Sequence, residues 1–217
     1  MPRADLDRQL TAMRTNITDL AKFVDELLDR ALSSVVTGDA FDARIARSRE
    51  DEFDRACVAL EEHTINLLTL QQPILVNDLR LVVATLVVAQ RLQRVGHGAL
   101  GVAELADNLA ALTPFAAPPP AILTLGQDAR AMLRDAVQAL INDDKHAAAQ
   151  VVARDTTVDG AYQTARDDLL QQLGTLTAET PNQATLNRRL TFWLWIAHKL
   201  ERVADHAVVI ARRAQQI

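Results

Sequence analysis

The chain has 217 residues, a single cysteine and a formal net charge of −5, enough length for one large or two small domains with a buried core. Cys57 has no partner for an internal disulfide and fits a reducing compartment, while the acidic balance and scattered arginines without interleaved aromatics exclude a nucleic-acid footprint. The longest apolar stretch, residues 81–89, is closed by Arg80 and Arg91, so no membrane span of roughly 20 residues is expected, and the polar, charged opening residues do not read as a signal peptide, which with the lone cysteine points to the cytoplasm.

In chain order, Leu6, Leu10, Met13, Ile17, Leu20, Val24, Leu27 and Ala31 alternate steps of four and three, the pattern of a bundle helix with a narrow buried seam. That helix is expected to stop at Thr37-Gly38. Asp39 is placed to cap a second helix running to about Leu70, with Ala46, Phe53, Cys57, Leu60 and Leu67 along one side. Gln71-Gln72-Pro73 should end it, and a third helix follows over about 75–112, weakened in its middle by Gly96 and Gly98. Thr113-Pro114-Phe115 and Pro118-Pro119-Pro120 cannot continue a helix and read as a short stiff linker. Beyond it the spacing predicts helices over about 121–141, 144–173 and 182–216.

The second half repeats the first. An offset of 108 pairs Arg80 with Arg188, Leu92 with Leu200, Arg94 with Arg202 and Val95 with Val203, and an offset of 105 pairs Glu50 with Asp155 and Asp54 with Asp159 in the preceding helix. The difference of three residues falls in the loop around 174–181, where insertions are tolerated. With no strand-like alternation, the chain is expected to be all-α: two tandem three-helix bundles, residues 1–112 and 121–217, joined by the linker 113–120.

Chemistry concentrates where acids recur at helical spacing. Glu201 and Asp205 are four apart in the last helix, so they share a face, and like charges there repel by a few tenths of a kcal/mol unless a cation intervenes. Asp155 and Asp159 repeat that spacing in the middle helix of the second set. Four carboxylates converging between neighbouring helices suit a hard divalent or trivalent cation such as magnesium, manganese, calcium or ferric iron. A solvated acidic face is the bland alternative. The first set keeps Glu50 and Asp54, but Gln93 and His97 stand where Glu201 and Asp205 stand in the second. His97 as a ligand would shift preference toward zinc or iron; the plainer expectation is a weakened or empty first site. Residues in the pattern of a nucleophile with its base, or of a phosphate-cradling loop, do not occur.

These residues carry a resemblance. Residues 200–207 (LERVADHA) with Val208 to Ala211, residues 67–80 ending in Asp78-Leu79-Arg80, and Arg154-Asp155 to Asp159 together resemble the PhoU family of phosphate-uptake regulators. The resemblance spans nearly the whole chain, with Leu186-Asn187-Arg188 only a partial match to the Asp-Leu-Arg entry. It implies a cytoplasmic accessory protein, usually a homodimer, that links the phosphate ABC transporter and its ATPase to a membrane sensor histidine kinase and restrains the phosphate-starvation response. It also implies metal clusters on E/D-x-x-x-D motifs. Those fall here on Asp155, Asp159, Glu201 and Asp205, and on Glu50 and Asp54 in the first copy, where Gln93 and His97 depart from the pattern. From the residues alone, a carboxylate-bridged two-metal enzyme and a purely structural helical module stay open as alternatives, although the Glu-x-x-His of di-iron enzymes is missing.

Overall fold

The computed structural model describes residues 3–70 and 76–217. Among these there are seven helices and no strand: α1 (Arg3–Thr37), α2 (Phe41–Ser48), α3 (Glu50–Leu70), α4 (Val76–Ala110), α5 (Pro120–Ile141), α6 (Lys145–Thr175) and α7 (Gln183–Ala214). All eight apolar positions of the predicted seam in α1 are buried. The helix stops where expected, with Gly38 in the left-handed region at φ 68°. The expected break at Gln71-Gln72-Pro73 lies outside the described residues.

One expectation changes. The second helix is two, α2 and α3, because the backbone of Arg49 leaves helical geometry and its N–H turns back to the carbonyls of Ala46 and Arg47. Its side chain holds the corner: Nη1 donates to Glu26 of α1 at 2.7 Å, Nε donates to Glu52 at 3.0 Å, and the guanidinium lies 4.1 Å from the Phe23 ring centre. Asp39 acts one residue early. Ala40 takes the N-cap position of α2, and the Asp39 carboxylate instead accepts the Phe41 N–H at 2.9 Å. Asp144 does cap α6, accepting from the backbone N–H groups of His146 and Ala147.

α4 and α7 are the central pair. α7 packs on α5 and α6, α4 packs on α1, α2 and α3, and the two pack on each other. One continuous apolar core therefore runs from Ile17 in α1 to Ala214 in α7, and both repeats contribute to it. Hydrophobic burial on this scale is the main stabilising term for a helical domain, at roughly 25 cal/mol per Å² of apolar surface. A second seam joins α1 to α5, and charge fixes its register. Asp25 accepts from Arg130 Nε at 2.7 Å and from Arg134 Nη2 at 2.7 Å, and Arg130 also pairs with Asp29. Burial opposes ionisation of Asp25, yet the two arginines outweigh it and hold the carboxyl below its usual range.

Candidate metal centre

α6 and α7 lie side by side, and their four-residue spacings turn carboxylates toward each other. Asp155 and Asp159 from α6 and Asp205 from α7 each bring one oxygen to within 4.8 Å of the others; among the described residues this is the one such grouping of three. Glu201 stands one turn from Asp205, beside the trio and outside it. Its Oε2 and the Oδ1 of Asp155 are buried without a hydrogen-bond partner. Buried acceptors of this kind are uncommon in folded proteins and call for an account.

The electrostatics agree with that reading. Burial pushes the Asp155 carboxyl above its usual range, and the charges of Asp159 and Asp205 push it further, against a smaller opposing pull from Arg212. Glu201 is likewise raised, first by burial and then by Asp205, with Arg202 opposing. Such shifts mark a place where negative charge is crowded and short of counter-charge. The nearby cations give little relief. His198 Nδ1 is 3.6 Å from Glu201 Oε2, beyond hydrogen-bond reach, and its side chain is 59% exposed. Arg202 Nη1 donates to Asp205 Oδ2 at 3.1 Å, a pairing that the sequence signalled only as an Arg three residues before an Asp. An all-oxygen donor set with orphaned buried carboxylate atoms fits a hard cation; Asp155, Asp159 and Asp205 would hold it, with Glu201 within one helical turn.

The first repeat keeps its acids on α3 but arranges them differently. His97 Nε2 and Asp54 Oδ1 are 2.8 Å apart, so the imidazole takes up the carboxylate directly. Phe53 sets the ring: the Phe53 and His97 planes meet edge to face with centroids 5.7 Å apart. Glu50 is exposed at the start of α3 and joins no grouping of three. Cys57 is buried and its thiol is pushed up to about 12, first by burial and then by Asp54, which leaves it a core residue without nucleophilic character. His206, next to Asp205 in the chain, is buried at 6% exposure and is not part of the trio. His63 keeps a buried, unpartnered Nε2 between α1 and α3, for which we have no physical account.

Comparison with known proteins agrees with this architecture. A family model described as the PhoU domain matches residues 17–106 and again residues 122–214. The chain is 26% identical to the "phosphate-specific transport system accessory protein PhoU homolog" of Pseudomonas putida, over 92% of this chain and 75% of that protein. It is 33% identical to the homologue of the same description from Synechocystis, over 77% of this chain and 70% of that one. The crystal structure of PhoU from Pseudomonas aeruginosa superposes with a TM-score of 0.85 at 24% identity, covering 96% of both chains. The phosphate transport system regulatory protein PhoU from Streptococcus pneumoniae gives 0.83 at 22% identity, covering 96% of this chain and 94% of that one. Two matched domains in tandem, on a fold shared across nearly the full length, place this chain in the PhoU family.

Proposed function

We propose that the chain is an accessory regulator of phosphate uptake. It acts in the cytoplasm as a homodimer, through contacts with the ATPase of a phosphate ABC transporter and with a sensor histidine kinase, and it restrains phosphate-starvation signalling when phosphate is plentiful. One observation carries the reading. The PhoU domain match covers both repeats, and the relatives found at 26% and 33% identity are named as accessory proteins of phosphate-specific transport systems. In this reading residues 1–112 and 121–217 are the two domains and 113–120 the linker. Asp155, Asp159, Glu201 and Asp205 bind one divalent or trivalent cation, of which iron, zinc, manganese and magnesium are the candidates. The first repeat, with Glu50, Asp54 and His97, binds more weakly, since Asp54 already has a partner. The cation serves as a brace between α6 and α7 or as part of the docking surface.

The test is recovery of partners from phosphate-replete cells carrying the tagged chain. The expected result is co-purification of a phosphate ABC transporter ATPase and a histidine kinase, with loss of both when phosphate is withdrawn. Recovery of neither under both conditions overturns the adaptor reading, and substrate turnover by metal-loaded protein favours a two-metal enzyme instead.

A further inference from the structure

Six residues of α7 are exposed, namely Ala184, Arg188, Trp195, His198, Arg202 and Arg212, and none of them is acidic. The two acids of the helix, Glu201 and Asp205, stand half-buried beside the carboxylates of α6. Of the two tryptophans in the chain, Trp193 is 3% exposed and belongs to the core, whereas Trp195 is 54% exposed. Its ring centre lies 6.0 Å from that of Phe192, and the Arg188 guanidinium lies 5.9 Å from the Phe192 ring centre. Phe192, Trp195 and Lys199 line a shallow groove of about 390 Å³ between α7 and α4, with Glu104 and Asn108 on the α4 side. Lys199 lies over the backbone of Gly101, in the place that a side chain there would take.

The fold does not require these rings. At the offset of 108, Phe192 and Trp195 correspond to Ala84 and Val87 of α4, and the helix forms there all the same. An aromatic side chain left half in water gains little for folding, while Trp and Arg are the residue types most enriched where partner proteins bind tightly. The charges agree. Among the described residues neither Arg188 nor Lys199 has an ion-pair partner, and Glu104, the one acid lining the groove, has none either, so it does not take up Lys199 by direct contact. The next acids are engaged elsewhere: Asp107 with Arg44 and Arg47, and Asp205 with Arg202. Two cations free to receive carboxylates from outside therefore bracket the aromatic pair, in a chain whose net charge is −5.

We propose that the Phe192–Trp195 face of α7 docks an acidic, amphipathic helical segment of a partner protein. Apolar side chains of the segment cover the two rings, and its carboxylates meet Arg188 at one end and Lys199 at the other. Those cations are eleven residues apart, about 16 Å along the helix axis, so a segment of three turns spans them in the helix-on-groove mode of recognition. The rings supply affinity, and the charges fix orientation and register. An anionic membrane surface suits the face less well, because Glu104 and Asn108 stand beside the rings. Such a face deepens the adaptor reading and rests on it; peptide binding and partner recovery are separate measurements, so one can fail while the other stands.

The probe is a fluorescein-labelled synthetic helix of about four turns, leucine along one face and glutamate elsewhere, titrated with the full-length protein and read by anisotropy. A twin with glutamine in place of glutamate is the second arm. Saturable binding of the glutamate peptide is expected, weaker binding of the twin, and, with unlabelled peptide, a blue shift of tryptophan emission that Trp195→Phe abolishes. Trp195→Ala should weaken binding about tenfold or more, Trp195→Phe less so, and Arg188→Gln with Lys199→Gln about threefold or more. Arg55→Gln, exposed on α3, should leave it unchanged. No saturable binding, equal binding of the two peptides, or an affinity indifferent to Trp195→Ala overturns the proposal. It is also overturned if Trp195→Ala dissociates a dimer in sedimentation, which makes a second copy the occupant, or if phosphatidylglycerol vesicles shift the Trp195 emission and the peptide does not.

Discussion

The two repeats keep one helical plan and fill it differently at the same place. In the first, Phe53 packs where a side-chain carbon on Gly96 would lie 2.1 Å from its ring; at the equivalent positions of the second stand Val158 and Ala204, both buried. The larger ring supports His97, and His97 satisfies Asp54. In the second repeat Asp159 and Asp205 crowd with Asp155. A carboxylate that has found an internal donor has lost much of its demand for an ion, whereas one held among other carboxylates keeps it. Equivalent backbone thus gives one carboxylate with an internal partner and, in the other repeat, a cluster of carboxylates crowded together.

The largest expected effect tests that contrast directly. Asp155→Asn with Asp205→Asn should abolish most metal uptake measured by elemental analysis, while Glu50→Gln with Asp54→Asn should leave most of it. Equal losses from both would erase the distinction. The same amides should change stability in the metal-free protein in the opposite sense to a lost interaction. Asp155 and Glu201 have folded pKa values above their ordinary ones, so the unfolded chain ionises first and stability falls as pH rises from the ordinary carboxylate range through the raised values. Asp155→Asn removes that penalty, and metal-free melting near neutral pH should rise.

His206 gives the next effect. Its repeat equivalent is Gly98, so a buried ring in one half stands where the other half has open space. Burial, then the charges of Arg202, Arg91 and Arg94, lower its pKa from 6.5 to about 4. The fold accepts only the neutral ring, so its contribution is complete above 6.5 and is lost as pH falls from there toward 4. A shift of this size corresponds to at most about 3 kcal/mol. Denaturant midpoints of the wild type should drop between pH 7 and pH 4.5 by more than those of His206→Gln; equal drops would show that the ring titrates freely.

Much of this was legible in the sequence, for identifiable reasons. The seam of α1 has strict spacing and every one of its positions is buried. The four-residue spacing of the acids in α6 and in α7 put each pair on one face of its helix, and three of the four meet between the helices. The break at Arg49 was not legible: neither Gly nor Pro occurs there, and the corner depends on Glu26 and Phe23 of another helix. Nor was the direct bond from His97 to Asp54. Spacing brings two residues near each other, but whether they bind an ion or each other depends on how Phe53 fills the space beside them. The opposite charges at Asp25 and Arg130 become meaningful only when α1 and α5 are seen in contact.

The smaller effects concern Gly96 and Gly98, two of the three glycines of α4, which sequence reading treated alike. In a helix interior Gly→Ala is worth about 1 kcal/mol of added stability when the site is open. Gly98→Ala should therefore stabilise by roughly 0.5–1 kcal/mol, since nothing lies within 4 Å of the added carbon. Gly96→Ala should instead destabilise. Its new methyl meets the Phe53 ring at 2.1 Å, overpacking that costs about 1–3 kcal/mol and outweighs the helical gain. Phe53→Val should itself cost a few kcal/mol through the cavity it leaves. Combined, the two changes recreate the Val158 and Ala204 pairing of the second repeat. The double variant should be more stable than the sum of the single losses implies, by 1 kcal/mol or more in a denaturant double-mutant cycle. Additive losses would mean that Phe53 and Gly96 are not fitted to each other, and the difference between the repeats would then have to originate elsewhere on the α3–α4 contact.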